Sequence, residues 1–564
     1  MNLDRTRAVH DRALLFLLAG WAAFAVASVW LRPLWPVDET RYASVAWEMW
    51  LRGDFLVPHI NGEPYSHKPP LLFWLIQLGW ALFGVNDWWP RLVAPLCALA
   101  SVPLLLRLGA LLWPPGCEAS ETRESREARL LPVWVLFGTL LFAVFITLTM
   151  FDLLLMLCTM AAMVGVLTLA RGERLAGVLW LGAGIGLGVL AKGPVILLHV
   201  LPAAVVAPWW SPGAGEKPGR WYLDLLLGVL LGAALALAWA LPAAVFGGEE
   251  YRRAIFWGQT AGRVSDSFAH RAPWWHYLPL LPLILFPWFV WPEFWLGIKA
   301  ILIKKQDGGT RFLACWLILT LIGFSLVSGK QAKYLVPFLP AFALLAGHAL
   351  AKVTAIAQGG TALARWWEML PPAIGFLALP AFLVTLRSRP AAMKLPEWAA
   401  EIPLWPIVVL ALAAPVLLLF CRKPTTVQVR VLAFAMLAAV AVLGAGVIPA
   451  FVPYSDPGPA ARHLAALQEA KVPLAHLGKY HAQYNFAGRL RTRIEILDPP
   501  EVKGWVAAHP AGQVIMSERM RHVGHDARDD NAGNAAPEYQ APFRGAWVQV
   551  WRGAALLVAR PELR

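Results

Sequence analysis

The feature that most constrains this chain is the grouping of its apolar residues into blocks of about 17–25, the length a helix needs to cross a lipid bilayer. Such blocks lie near 14–31, 91–112, 130–150, 153–170, 175–191, 194–210, 222–246, 274–297, 312–328, 334–351, 371–386, 403–421 and 430–452. A water-soluble core of 564 residues does not require 58% hydrophobic and only 15% charged residues. The expectation is a polytopic, all-α membrane protein with about 13 transmembrane helices. One further stretch, Leu71 to Gly84, is apolar but has the length of an interfacial or re-entrant helix.

Sidedness follows from the basic residues. With the N-terminus inside and Leu71–Gly84 not crossing, several basic clusters fall in cytoplasmic loops. These are Arg123/Arg126/Arg129, Arg171/Arg174, Lys217/Arg220, Lys299/Lys304/Lys305/Arg311 and Arg422/Lys423/Arg430. If that stretch crosses, all of them move outside; Arg387, Arg389 and Lys394 lie outside in the non-crossing reading, against the trend. The net charge of +14 therefore reports topology, and no basic-aromatic motif points to nucleic acid. Cys97, Cys117, Cys158, Cys315 and Cys421 form no CxxC pair and no disulfide framework. Arg5, Arg7 and Arg12 precede an apolar stretch that ends near Ala25-Val26-Ala27, a pattern shared with signal peptides. The stretch is long enough to span, and it is read here as an uncleaved first helix.

This topology gathers residues 32–90, the neighbourhood of Asp152, residues 247–273, residues 328–334 and the tail on one outer face. The chain divides into a membrane domain, 1–453, and a C-terminal domain, 454–564. The tail is polar, rich in Pro and Gly, and carries strand-like runs at Val472–Leu477, Arg493–Leu497, Gln513–Met516, Trp547–Trp551 and Ala554–Ala559. A small α/β domain outside the membrane is expected. Trp30, Trp35, Trp88, Trp89, Trp274 and Trp275 suit interfacial aromatic belts.

The first outer loop carries the chemistry. Tyr42, Val45, Ala46, Met49 and Trp50 repeat at helical spacing and predict an amphipathic helix over Glu39–Arg52, ended by Gly53 and lying in the membrane surface. Asp38 is either an N-cap of that helix or a reactive carboxylate, and Arg41 meets either lipid headgroups or a substrate. Lys68, in Tyr65-Ser66-His67-Lys68-Pro69-Pro70, is either a snorkelling anchor or a phosphate ligand.

The ordered string Asp38-Glu39-Thr40-Arg41-Tyr42-Ala43, Gly53-Asp54, Pro58-His59-Ile60-Asn61-Gly62-Glu63-Pro64-Tyr65 and Lys68-Pro69-Pro70-Leu71 resembles the first outer loop of the bacterial aminoarabinose transferases. These are GT-C glycosyltransferases related to protein mannosyltransferases. Phe151-Asp152, Pro273-Trp274-Trp275-His276-Tyr277, and Ser328-Gly329-Lys330 with Tyr334-Leu335-Val336-Pro337 are similar to further motifs of that family. The resemblance covers most of the membrane part and fades in the tail. It implies a GT-C fold, a bacterial inner-membrane location, and inverting transfer of a sugar from undecaprenyl phosphate to lipid A at the periplasmic leaflet. The sugar it implies is 4-amino-4-deoxy-L-arabinose.

Transfer of this kind leaves negative charge on a lipid phosphate, which preplaced cations in a partly dry site stabilise. Arg41, Lys68, Arg263 and Lys330, with Tyr65 and Tyr334 as hydrogen-bond donors, are the candidates for the donor phosphate. Asp38 and Asp152 are the candidate catalytic carboxylates, as a base or as holders of a metal. Two departures from the family pattern stand out. His67 replaces the Glu usual before Lys-Pro-Pro, and Thr260 stands three residues before Arg263 where relatives carry Asn or His. His67 and His270 are thus the candidate ligands if a divalent metal ion takes part. Three rivals differ in what they predict: transfer of another sugar such as glucosamine, or to another acceptor; a transporter or flippase; and a lipid-binding scaffold. Ionisable residues gathered at one face, without an internal repeat, favour the enzyme over the transporter.

Overall fold

The computed structural model describes residues 19–26, 29–30, 32–114, 123–258, 271–303, 307–358, 366–390, 397–519 and 536–563. Among them, eight helices are long and apolar enough to cross a membrane: Trp89–Leu112, Phe151–Ala170, Arg174–Lys192, Pro218–Phe246, Gly308–Leu326, Ala332–Ala355, Trp367–Ser388 and Thr425–Tyr454. Glu127–Phe137 and Leu140–Ile146 make a ninth if they are taken as one span bent by 69°. The bend falls at Gly138, where an added Cβ would meet Ala433 Cα and Trp288 Cζ2 at 2.7 Å. Trp288 Nε1 donates to Val135 O (2.9 Å) and Thr139 Oγ1 (3.1 Å), and Leu140 N donates to Phe286 O at 2.9 Å. A break in a buried helix persists only where its freed backbone groups are satisfied in this way.

The sequence predicts about 13 spans; the first of them, near 14–31, lies largely outside the described residues, and two others are segments that proline interrupts. Over 274–297, Pro279, Pro282, Pro287 and Pro292 each remove a backbone donor. That stretch folds as Leu278–Leu280, Leu281–Ile284, Trp288–Val290 and Pro292–Ile303 rather than as one helix. Likewise 194–210 breaks at Val206 into Ile196–Val205 and Ala207–Trp210, with Pro208 in the first turn of the second helix. Leu404–Leu419 is a shorter apolar helix, and so is Leu71–Phe83. The 13 residues of Leu71–Phe83 rise only about 20 Å, short of the roughly 30 Å hydrocarbon layer, as a non-crossing segment requires.

Phe151–Ala170 and Arg174–Lys192 form an antiparallel hairpin that positions the site. A Cβ on Gly165 would lie 2.3 Å from Leu181 N, and one on Gly184 would lie 2.4 Å from Ala162 N. Small residues let the two backbones approach and lock the register, so packing replaces a hydrophobic driving force inside lipid. The hairpin carries the end of the second helix back to the start of the first.

The tail forms a five-stranded sheet of β3 (Leu474–Leu477), β4 (Glu495–Leu497), β5 (Gln513–Arg519), β6 (Tyr539–Phe543) and β7 (Ala546–Arg552), after a short β1–β2 hairpin (His59–Ile60, Glu63–Pro64) in the first loop. The order is β4-β3-β5-β7-β6, with β3 parallel to β4 and β5, and β7 antiparallel to β5 and β6. Both faces are covered. Leu474, Ile515, Val548 and Val550 pack with Ala460, Ala461 and Leu464 of helix Gly458–Glu469. Ala475, Val514 and Trp551 pack on the other side with Val502, Trp505, Val506 and Leu556. Alternate strand residues thus enter different cores, as the pleat demands. Ala554–Ala559, expected as a strand, is helix Gly553–Ala559 instead. Its Ala and Leu are strong helix formers, and Gly553 and Leu556, three apart, are its buried residues.

Candidate active site

The first-loop helix runs Asp38–Arg52 and stops at Gly53, whose φ of 64° is the left-handed conformation glycine tolerates. Two of its faces are buried. Tyr42, Val45, Ala46 and Met49 face the membrane bundle, as the spacing predicts. On another side Ser44 Oγ donates to Ala482 O (2.8 Å) and accepts from Phe486 N (3.1 Å), and Trp47 Nε1 donates to Leu490 O (2.9 Å). The helix therefore lies between the bundle and the C-terminal unit rather than open on the lipid surface. The β1–β2 hairpin turns through Asn61-Gly62, with φ of 51° and 91°. The Asn61 amide then pairs with Ile494, donating to its O at 2.8 Å and accepting from its N at 2.9 Å.

Asp38 makes no side-chain cap, since the N-cap position belongs to Val37. Its carboxylate meets Lys333 Nζ at 3.4 Å. The neighbouring Glu39 carries the structural load. It is buried, holds Arg32 in a two-pronged ion pair, and accepts from Trp35 N (2.6 Å) and from Thr149 N. One carboxylate thereby ties the start of this helix to the turn that leads into Asp152.

Asp152 is 1% exposed and is ion-paired with Lys192, at the far end of the hairpin. Lys192 Nζ also sits 5.0 Å from the centroid of the Tyr334 ring, a cation–π contact. Tyr334 follows Lys333 in the 3-10 helix Ala332–Phe338, so one turn of chain addresses both carboxylates. Tyr42 packs edge-on to Phe151 at 4.8 Å, Phe151 to Phe73 at 5.6 Å, and Phe73 to Tyr65 at 6.3 Å, forming an aromatic floor. The Tyr42 hydroxyl is held well above its ordinary pKa, chiefly by burial and then by the negative field of Asp38, Tyr65 and Asp152, with Arg41 opposing. At neutral pH it is a neutral donor placed among all four groups. Arg41 Nε is buried and makes no hydrogen bond among the described residues.

Of the residues singled out in the sequence, Asp38, Arg41, Tyr65, Asp152 and Tyr334 converge around Tyr42 and Lys192. Lys68 is half-buried where the chain turns into helix Leu71–Phe83, and His67 is exposed with its ring 5.4 Å from Tyr65. Lys330 is placed differently from the expectation. It is buried and donates to Ala272 O (2.9 Å) and Val327 O (2.6 Å), stapling the two loops that the Arg271–Gly329 bridge also joins. Arg263 and His270 lie outside the described residues. Among the described residues no three His, Cys, Asp or Glu side chains converge on a metal site, and each candidate carboxylate is met by an ammonium instead. Lys192 and Lys333 escaped the sequence reading. Lys192 ends the apolar helix Arg174–Lys192, and only the parity of the spans could have marked it.

A family model described as dolichyl-phosphate-mannose-protein mannosyltransferase matches residues 67–245. Among curated relatives is undecaprenyl phosphate-alpha-4-amino-4-deoxy-L-arabinose arabinosyl transferase 2 of Pseudomonas fluorescens, 34% identical over 58% of this chain and 57% of that protein. A second P. fluorescens enzyme of that name, numbered 1, is 33% identical over 68% of each chain. The Pseudomonas aeruginosa enzyme is 32% identical over 71% of this chain and 73% of its own length. The crystal structure of ArnT from Cupriavidus metallidurans bound to undecaprenyl phosphate shares the fold, with a TM-score of 0.75, 19% identity, and coverage of 96% of this chain and 98% of that one. The chain is a multi-pass membrane glycosyltransferase and belongs to the undecaprenyl phosphate-aminoarabinose arabinosyl transferase family.

Proposed function

We propose that this protein transfers 4-amino-4-deoxy-L-arabinose from undecaprenyl phosphate to a phosphate of lipid A, at the periplasmic leaflet of a bacterial inner membrane. The observation that carries the reading is the placement of Lys192 and Lys333, each beside a carboxylate and linked through Tyr334, together with Arg41, whose buried Nε makes no hydrogen bond among the described residues. An acceptor phosphate oxygen attacks the anomeric carbon from the face opposite the undecaprenyl phosphate. The new C–O bond forms as the bond to the leaving phosphate breaks, and the bonding pair departs on that phosphate oxygen, inverting the centre. No proton has to be removed from such an acceptor. Asp38 and Asp152 therefore act by holding Lys333 and Lys192 in place, and the ammonium groups, with Arg41 and Lys68, stabilise the charge that gathers on the leaving phosphate. Preorganised donors of this kind are worth about 10²–10³ in rate each. The positive-inside distribution of the basic loops supports a periplasmic site.

Purified protein given the undecaprenyl-phosphate sugar tests this by release of undecaprenyl phosphate. Release that depends on phosphorylated lipid A supports the reading. Release onto a dephosphorylated acceptor at an equal rate would move the nucleophile to a hydroxyl and restore Asp38 as a base.

A further inference from the structure

Two loops of the C-terminal unit have an unusual backbone. Ala482 and Arg544 both adopt left-handed backbone angles, with φ of 54°. Non-glycine residues rarely occupy that region, because the Cβ crowds the backbone there. Arg544 stands with Gly545 in the two-residue turn between β6 and β7, at a position where Asn, Asp or Gly is the ordinary choice. Its N–H donates to Tyr454 O at 2.7 Å. Ala482 is fixed through Ser44, and His481 N donates to Gln483 Oε1 at 3.1 Å. Asn485 N donates to Ala482 O at 3.2 Å, so the loop is rigid.

These anchors set His481 beside the first turns of the Asp38–Arg52 helix. Its imidazole lies in the fields of Arg41, Arg544, Lys479 and Asp38. Lys479, His481 and Arg544 are exposed. Among the described residues neither Lys479 nor Arg544 has an ion-pair partner, whereas Asp38 is matched by Lys333. The C-terminal unit thus faces the Asp38 loop with exposed positive charge that has no ion-pair partner among the described residues. An anionic headgroup that reaches this loop beside the C-terminal unit meets those charges.

We propose that Lys479, His481 and Arg544 form the acceptor side of the active site and bind the anionic headgroup of a phosphorylated glycolipid. The proposal rests on the function argued above for its setting, and its test does not require turnover. Full-length protein in detergent is titrated with a water-soluble, deacylated, bis-phosphorylated glucosamine disaccharide, and separately with the same disaccharide stripped of phosphate. Arg544→Asn removes the cation while placing in the turn a residue that tolerates its backbone angle, so folding is favoured rather than threatened. Lys479→Ala with Arg544→Asn is expected to weaken binding of the phosphorylated disaccharide about tenfold or more. The stripped disaccharide should bind wild type and double variant alike, and Lys479→Arg with Arg544→Lys should retain most of the wild-type affinity. Unchanged affinity of the double variant for the phosphorylated form would overturn the proposal, and so would an equal loss for both disaccharides. A wild type that binds the headgroup through these cations yet transfers no sugar to lipid A would refute the function and leave the binding site standing.

Discussion

Lys192, the last residue of its helix, reaches back across a tightly packed hairpin to Asp152, near the first residue of the preceding helix. Both side chains are nearly buried, at 10% and 2% exposure. Removing one partner of such a pair strands a charge in a poorly solvated site and costs about 3–5 kcal/mol, whereas removing both is far milder. Lys192→Met is therefore expected to lower stability by several kcal/mol and turnover by at least about 10². Lys192→Met with Asp152→Asn should recover most of the stability and none of the turnover. Thermal unfolding in detergent, measured beside transfer rates, separates the two effects. Turnover that returns together with stability would make the pair purely structural.

Asp38 and Lys333 are a different case, being 38% and 24% exposed. An ion pair so open to water contributes about 0–1 kcal/mol. Asp38→Asn is expected to leave stability within about 1 kcal/mol and to lower turnover by about 10² or more. Its pH–rate profile should keep the shape of the wild type's, because a phosphate acceptor needs no base. If an acidic limb present in wild type disappears in Asp38→Asn, the carboxylate is a general base and the acceptor is a hydroxyl.

The two lysines mark how far the sequence could be read. The first loop was legible because its residues are contiguous, and a helix and its glycine stop fold locally; the Asn61-Gly62 hairpin, equally local, was not read. Lys192 and Lys333 take their meaning from partners 40 and 295 residues away. A lone lysine at a membrane boundary looks the same whether it anchors to lipid or serves a site. Lys330 shows the converse: its motif was visible, but its ammonium is committed to two backbone carbonyls. Spans interrupted by proline at 274–297 and 194–210 kept the hydropathy of a crossing while losing the continuous backbone ladder. In the tail, Ala554–Ala559 is a six-residue apolar run, too short for period alone to separate strand from helix.

Sidedness is open to direct measurement. After replacement of the native cysteines, Glu63→Cys in the β1–β2 hairpin and Arg220→Cys in the first turn of helix Pro218–Phe246 place thiols at two exposed positions expected on opposite faces. In intact spheroplasts an impermeant thiol reagent should label the Glu63 position and spare the Arg220 position. The reverse pattern would put the first loop in the cytoplasm and remove the site from the periplasmic leaflet.

The C-terminal sheet carries a pH-sensitive group of its own. His476, in β3, is 3% exposed, and burial pushes its pKa down from 6.5 to about 4. Between those values the unfolded chain binds a proton that the folded sheet does not, so stability falls as pH drops through that window. The shift corresponds to roughly 3 kcal/mol at its full extent. The protection factors of the β3 and β5 amides in the full chain, taken against the intrinsic exchange rate at each pH, should fall on acidification from pH 7 to 4.5, and His476→Gln should flatten the dependence. An equal loss of protection in both proteins would assign the effect to other groups.

The most direct test of the central claim is mass spectrometry of lipid A from cells with and without this protein. The account predicts that lipid A gains the mass of a 4-amino-4-deoxypentose only when the protein is present, with fragmentation placing the sugar on a phosphate. The addition should be absent with Lys192→Met, Asp152→Asn. Lipid A identical in the two strains, or a sugar of different mass attached through a hydroxyl, would contradict it.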